Sequence, residues 1–276
     1  ESILTSRSLT GNGTDSIKNI ERAEITGDDR SNLIDASEFE GTVTLNGGAG
    51  RDTLIGSAFN DQLRGDSGSD VIEGGDGNDY IDGWSGSDTL SGGNGNDRLI
   101  GRGSSDTLTG GAGNDRLEGG TGIDTLIESG DVNFRLKTSR LTGLGTDRVR
   151  DIENAILEGG SSNNVLDARA FNTGGGVTLR GGDGDDLLYG SRHNDLLEGG
   201  LGDDTIIGYG GVDDIRDEPI QSAPPATVAA ASVSGSSRSE LSNQTSDVSL
   251  VADARLIDAV FTLGGEDSDF LVNLRS

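Results

Sequence analysis

Gly74-Gly75-Asp76-Gly77-Asn78-Asp79-Tyr80-Ile81-Asp82 runs directly into Gly83-Trp84-Ser85-Gly86-Ser87-Asp88-Thr89-Leu90-Ser91, and then into Gly92-Gly93-Asn94-Gly95-Asn96-Asp97-Arg98-Leu99-Ile100. Glycine opens each unit, aspartate stands sixth and an aliphatic residue eighth. Working outward, the chain divides into nines without insertion or deletion from Gly47 to Ile127, nine units, and again from Gly181 to Arg216, four units. All thirteen keep that glycine, that aspartate and a leucine or isoleucine in eighth place. The fourth position is glycine in ten, the exceptions being Phe59, Ser104 and His193. A fixed period over this length marks a repeat architecture in which each unit stacks on its neighbours.

The residues of one unit say what it can build. Positions seven to nine suit a very short strand whose middle side chain points inward and whose neighbours point outward. Leu90, Leu99, Leu108 and Leu117 then form the core, and Thr53, Val71, Thr89, Thr107 and Thr125 form an outward row. The six residues before each strand read as a turn. Its glycines permit backbone dihedrals that rotate carbonyl oxygens towards one point, and the aspartate adds a carboxylate there. Oxygen donors without nitrogen or sulfur suit a hard cation of calcium size. Two units make one coil of eighteen residues, so alternate turns stack on one edge about 4.8 Å apart. Asp79, Asp97 and Asp115 would repel at that spacing by about 1 kcal/mol per pair in water, and by about 3.5 at an effective dielectric of 20. A cation between each pair reverses the sign.

The pattern G-G-x-G-x-D-x-U-x resembles the calcium-binding nonapeptide of the RTX (repeats-in-toxin) family, over 117 of 276 residues. The resemblance implies an all-β, right-handed parallel β-roll (β-solenoid): two nonapeptide rolls joined by irregular β-solenoid coils. In that family each calcium ion (Ca2+) sits between two stacked turns, and an inner aspartate bridges two ions. Carried onto this chain, the metal-binding aspartates are Asp52, Asp61, Asp70, Asp79, Asp88, Asp97, Asp106, Asp115 and Asp124 in the first roll, and Asp186, Asp195, Asp204 and Asp213 in the second. The turn glycines that go with them are Gly74, Gly75, Gly77, Gly92, Gly93, Gly95, Gly110, Gly111 and Gly113, then Gly181, Gly182, Gly184, Gly199, Gly200 and Gly202. About nine ions are expected in all.

The two edges differ. One carries Asn60, Asn78, Asn96 and Asn114 before its aspartates; the other carries Arg51, Ser69, Ser87, Ser105 and Ile123. The tightest sites are expected between Asp79 and Asp97 and between Asp97 and Asp115. The weakest are expected at Asp61, Asp106 and Asp195, whose turns lack the fourth glycine. A thin inward ladder over so many ordered residues predicts rolls that are unfolded without calcium.

A larger repeat encloses the nonapeptides. Leu9-Thr10-Gly11-Asn12-Gly13-Thr14-Asp15 recurs as Leu141-Thr142-Gly143-Leu144-Gly145-Thr146-Asp147, and Asn32, Asp35-Ala36 and Phe39 recur as Asn164, Asp167-Ala168 and Phe171. The expected division is 1–46, irregular β coils capping the first roll; 47–130, the first β-roll; 131–180, a second set of irregular coils repeating 1–46; and 181–217, the second β-roll. Pro219, Pro224 and Pro225 open a Pro/Ala/Ser-rich linker over 218–249. Residues 250–276 hold a decayed nonapeptide at Gly264-Gly265-Glu266-Asp267-Ser268-Asp269, read either as the start of another module or as a C-terminal secretion signal. The start at Glu1 reads as a piece of a longer chain.

Composition narrows the function classes. With no cysteine, disulfide scaffolds, zinc-thiolate sites and cysteine nucleophiles are excluded. A net charge of -27 repels nucleic acid and attracts cations, and no run of apolar residues is long enough to span a bilayer. The single histidine, His193, stands where a turn glycine usually does, so no serine-histidine-aspartate arrangement can be built; the chain reads as no enzyme. Trp84 could stack on a sugar ring, and Arg51, Arg98, Arg102 and Arg116 could touch a polyanion, which keeps an extracellular polysaccharide or an adhesive surface as the alternative. A non-catalytic part of a secreted enzyme or toxin is a further one, and the threonine row as an ice-binding face is weaker still. The reading preferred on sequence is an extracellular or cell-surface calcium-binding module of a larger bacterial protein, folding on Ca2+ after passage through type I secretion machinery.

Overall fold

The computed structural model describes residues 2–5, 8–10, 14–16 and 20–216. The expected linker 218–249 and tail 250–276 lie outside them. Among the described residues every regular element is a β-strand, and no helix is long and apolar enough to cross a membrane.

Successive strands alternate between two sheets, one of 13 strands and one of 12. Neighbours within a sheet are therefore two nonapeptides apart: Thr89 pairs with Val71 and Thr107, and Arg98 with Tyr80 and Arg116, all in parallel. This is a parallel β-roll. The nine-residue period produces it because an odd repeat sends one unit to each sheet, while eighteen residues return the chain to its starting edge. The row Thr53, Val71, Thr89, Thr107, Thr125 lies in register along the 13-stranded sheet.

Between the sheets runs one ladder of aliphatic side chains. Leu54, Leu63, Ile72, Ile81, Leu90, Leu99, Leu108, Leu117 and Leu126 are all at most 1% exposed. Each contributes about 2 kcal/mol of burial. The same cluster continues through Leu157, Leu166 and Leu179 to Leu188 and Leu197, so both rolls share an unbroken core. Phe39 and Phe171, the aromatic pair of the larger repeat, are buried in equivalent places, each donating its backbone N–H to the carbonyl of the buried Ala36 or Ala168 at 2.9 Å.

Two features depart from the simple turn-and-strand picture. Most strands of the first roll are six residues long, as in Thr89–Asn94 and Arg98–Gly103, rather than three. The chain stays extended through the first two glycine positions of the next unit, and in Thr89–Asn94 burial alternates over the first five of the six residues. The second is an antiparallel meander, Phe134–Lys137, Arg140–Thr142 and Thr146–Arg150, inside the otherwise parallel 12-stranded sheet. The copy 132 residues earlier forms the same meander from Ser2–Thr5, Ser8–Thr10 and Thr14–Ser16. The last strand of the internal meander pairs in parallel with Arg116–Thr121, and its first with Val165–Ala170. The meander thus splices the end of one roll to the start of the next.

Candidate metal centre

Each turn is shaped by its glycines in two ways. At position one, Gly92 has ordinary dihedrals, but a Cβ there would overlap the Asp97 carboxylate, so the glycine makes room for its own aspartate. At positions two and four the φ angles of most turns are positive, 102° at Gly93 and 143° at Gly95. Trp84 and Arg102 at position two and Ser104 at position four take the same left-handed conformation despite their side chains. Tertiary stacking imposes the geometry there.

The inner aspartates form ladders. The N–H of Asp61 donates to Asp79 Oδ1, Asp79 to Asp97 and Asp97 to Asp115, each at 2.8 Å. On the other edge Asp52 donates to Asp70, Asp70 to Asp88, Asp88 to Asp106 and Asp106 to Asp124, at 2.8–2.9 Å. The second roll repeats this from Asp186 to Asp204 at 2.8 Å and from Asp195 to Asp213 at 3.1 Å. Thus each carboxylate spends Oδ1 on the coil before it. From Asp52 to Asp195 every expected aspartate is at most 4% exposed, while Asp204 and Asp213 are half-buried.

The second oxygen is different. Oδ2 of Asp52, Asp70, Asp79, Asp88, Asp97, Asp106, Asp115, Asp124, Asp186 and Asp204 is buried with no hydrogen-bond partner. A buried ionised oxygen without a partner costs several kcal/mol. Burial raises the proton affinity of these carboxylates in the first roll and of Asp186. Burial, against the opposing N–H bond and with help from neighbouring aspartates, pushes Asp79 and Asp106 up to about 7, and Asp70 and Asp97 up to about 6. Among the described residues no three carboxylate or imidazole side chains come together as a metal cage. A cation here would have to draw on single carboxylates and on backbone carbonyls, the donor set preferred by calcium.

Sequence reading missed several members of these ladders. The N–H of Asp115 donates to Asp147 Oδ1 at 3.0 Å, and that of Asp124 to Glu153 Oε2 at 2.9 Å. Asp147 is 2% exposed and is raised to about 6, chiefly by burial. Its signal was present in Gly145-Thr146-Asp147-Arg148-Val149, the second half of a nonapeptide entered from the meander. Before each roll, Asn32 and Asn164 stand where aspartate would, their N–H groups donating to Asp52 and Asp186 Oδ1 at 2.7 Å. Gly27 to Asp35 and Gly159 to Asp167 are therefore degenerate nonapeptides with neutral sixth residues. Glu128, buried beside Asp115 and Asp147, accepts the Gly110 N–H at 2.6 Å and the Gly111 N–H at 3.1 Å, closing the end of one strand ladder.

Outside the turns, Asn78, Asn96 and Asn114 each donate a backbone N–H to the side-chain oxygen of the asparagine one coil earlier, at 2.7–2.9 Å. That edge is stapled by its own amides, and Thr146 extends the staple at 3.1 Å. Trp84 lies under two guanidinium groups, from Arg64 and Arg102 on the flanking strands, at 4.2 and 4.4 Å. Arg102 also grips Asp82 in a two-pronged ion pair at 2.6 Å. The indole, flanked by the protein's own cations, is still 42% exposed.

Comparison with known proteins places a family on this geometry. The model of the RTX calcium-binding nonapeptide repeat matches residues 40–63, 55–90, 91–126, 173–206 and 189–216. No curated protein matches the chain. The matched segments carry the aspartate ladders of both rolls, and these segments belong to the RTX calcium-binding nonapeptide repeat family.

Proposed function

We propose that calcium fills the two edges of the roll and that its binding completes the fold. The observation that carries this reading is the set of ten buried Oδ2 atoms left without partners, all on sixth-position aspartates. Asp52, Asp70, Asp79, Asp88, Asp97, Asp106, Asp115 and Asp124 would hold the ions in the first roll, and Asp186 and Asp204 in the second, with carbonyls of the glycine turns completing each shell. Asp147 extends one edge by a further carboxylate. The ion supplies positive charge where like charges are stacked and solvent is excluded. Folding and binding are then one process.

The role that follows is structural and non-catalytic. A chain that needs calcium to fold stays extended where calcium is scarce and folds where it is plentiful, which suits an extracellular module exported unfolded from a bacterial cell as part of a larger protein. In this reading 1–46 and 131–180 cap and splice the two rolls. The test is far-UV circular dichroism during a calcium titration, with magnesium as control. A cooperative coil-to-β transition with calcium alone supports the proposal, and a chain fully folded in chelator overturns it.

A further inference from the structure

The thirteen turns are not of one kind. Eleven have positive φ at both the second and the fourth positions, including the turn of Ser104, where φ is 83°. Two have it at neither: Gly56-Ser57-Ala58-Phe59-Asn60-Asp61 and Gly190-Ser191-Arg192-His193-Asn194-Asp195. These two alone carry serine in second place. Loss of the fourth glycine is therefore not what separates them, since Ser104 lacks it too and leaves Asp106 Oδ2 unpartnered like the rest.

In both exceptional turns the carboxylate is satisfied by the protein. The Ser57 N–H donates to Asp61 Oδ2 at 2.6 Å, and Ser57 Oγ lies 2.9 Å from that oxygen and 3.1 Å from Oδ1. The Ser191 N–H donates to Asp195 Oδ2 at 2.6 Å, and Ser191 Oγ donates to Oδ1 at 2.7 Å. The hydroxyl is anchored in turn by the N–H of Phe59 at 3.2 Å and of His193 at 3.1 Å. Both serines are buried. Such a turn closes through a side chain, with no left-handed residue at its second or fourth position.

Their position explains the need. Each is the first nonapeptide turn on its edge of its roll. The coil beneath offers the carboxylate only the N–H of Val43 or Val177, which donates to Asp61 or Asp195 Oδ1 at 2.7 and 2.9 Å, and it gives Ser57 Oγ the Gly41 carbonyl as a further acceptor at 2.9 Å. No nonapeptide turn lies below to share an ion. We propose that Ser57 and Ser191 stand in for calcium, so that Asp61 and Asp195 bind no ion through Oδ2 and these two columns, unlike those that begin at Asp52 and Asp186, start on a metal-free rung. This rests on the calcium reading above.

The experiment counts calcium ions per full-length chain after gel filtration, by atomic emission, in the wild type and three variants. Asp61→Asn retains the wild-type count, whereas Asp79→Asn loses at least one ion. Ser57→Gly with Phe59→Gly, which restores the common turn, gains one. A loss of an ion in Asp61→Asn, or no gain in the glycine double variant, overturns the inference. Should Asp61→Asn fail to fold, the double variant decides alone. A wild type that binds no calcium removes the underlying reading as well, and that failure is visible before any variant is made.

Discussion

The backbone N–H of Asp97 donates to Asp115 Oδ1 at 2.8 Å, while the other oxygen of the same carboxylate is buried with no partner. One group thus does two jobs, locking two coils together and presenting a charge. Asparagine at 115 can keep the first and not the second, because an amide nitrogen would replace the unpartnered oxygen. Asp115→Asn is expected to raise the calcium midpoint of folding at least about tenfold, or about 1.4 kcal/mol. Circular dichroism titrations of variant and parent check this, and coincident curves would show that Oδ2 is not used.

Acidity should replace calcium in part. Burial raises Asp79 and Asp106 to about 7, and Asp70 and Asp97 to about 6, from an ordinary value near 3.8. A raised folded-state value means the fold binds protons more tightly than the unfolded chain, so the contribution is complete below about 4 and vanishes as pH rises through 6–7. In chelator the β signal is expected to grow on acidification from pH 8 to 5. Calcium affinity should weaken over the same range, because protons compete for the same carboxylates. A calcium midpoint unaltered between pH 8 and 5 contradicts this account.

Glycine content is not uniform in meaning. A Cβ on Gly95, where φ is 143°, would overlap the carbonyl oxygen of Gly77 on the coil below, whereas one on Gly103 meets nothing closer than Thr121 Oγ1 at 3.7 Å. Gly95→Ala must bear left-handed strain of about 1–2 kcal/mol and also part the coils. Gly103→Ala should stay within about 0.5 kcal/mol of the parent. Urea unfolding in saturating calcium measures both, and equal stabilities would remove the stacking argument.

Leu99 is wholly buried between the sheets and Thr89 stands on the outer face. Leu99→Ala is expected to cost about 2–5 kcal/mol of the calcium-loaded stability, and Thr89→Ala less than about 1. The same urea assay reads the contrast. Similar costs for both would mean that the ladder of aliphatic residues is not what holds the sheets together.

Much of this architecture is legible in the chain because it depends on local periods. A nine-residue repeat with one aliphatic residue per unit already says which side chains face inward, and Leu90 to Leu117 do so. The aspartate positions follow from the same count. Strand length did not follow, since the extended run through Gly92 and Gly93 reflects sheet pairing with the coils on either side. Nor did Asp147, which joins Asp115 across 32 residues because an antiparallel meander intervenes.

By itself, then, the sequence determined the repeat, the alternation between two faces, the inward ladder and the oxygen-rich edges, all of which need only the geometry of one unit. The tertiary structure alone decided which carboxylate oxygens are left without partners. Phe59, Ser104 and His193 look alike in the chain as missing glycines. Asp61 and Asp195 are nonetheless satisfied by Ser57 and Ser191, while Asp106 is not. The physical reason is that hydrogen bonding of a buried carboxylate depends on the shape of its own turn and on the coil stacked against it, and that coil is eighteen or more residues away.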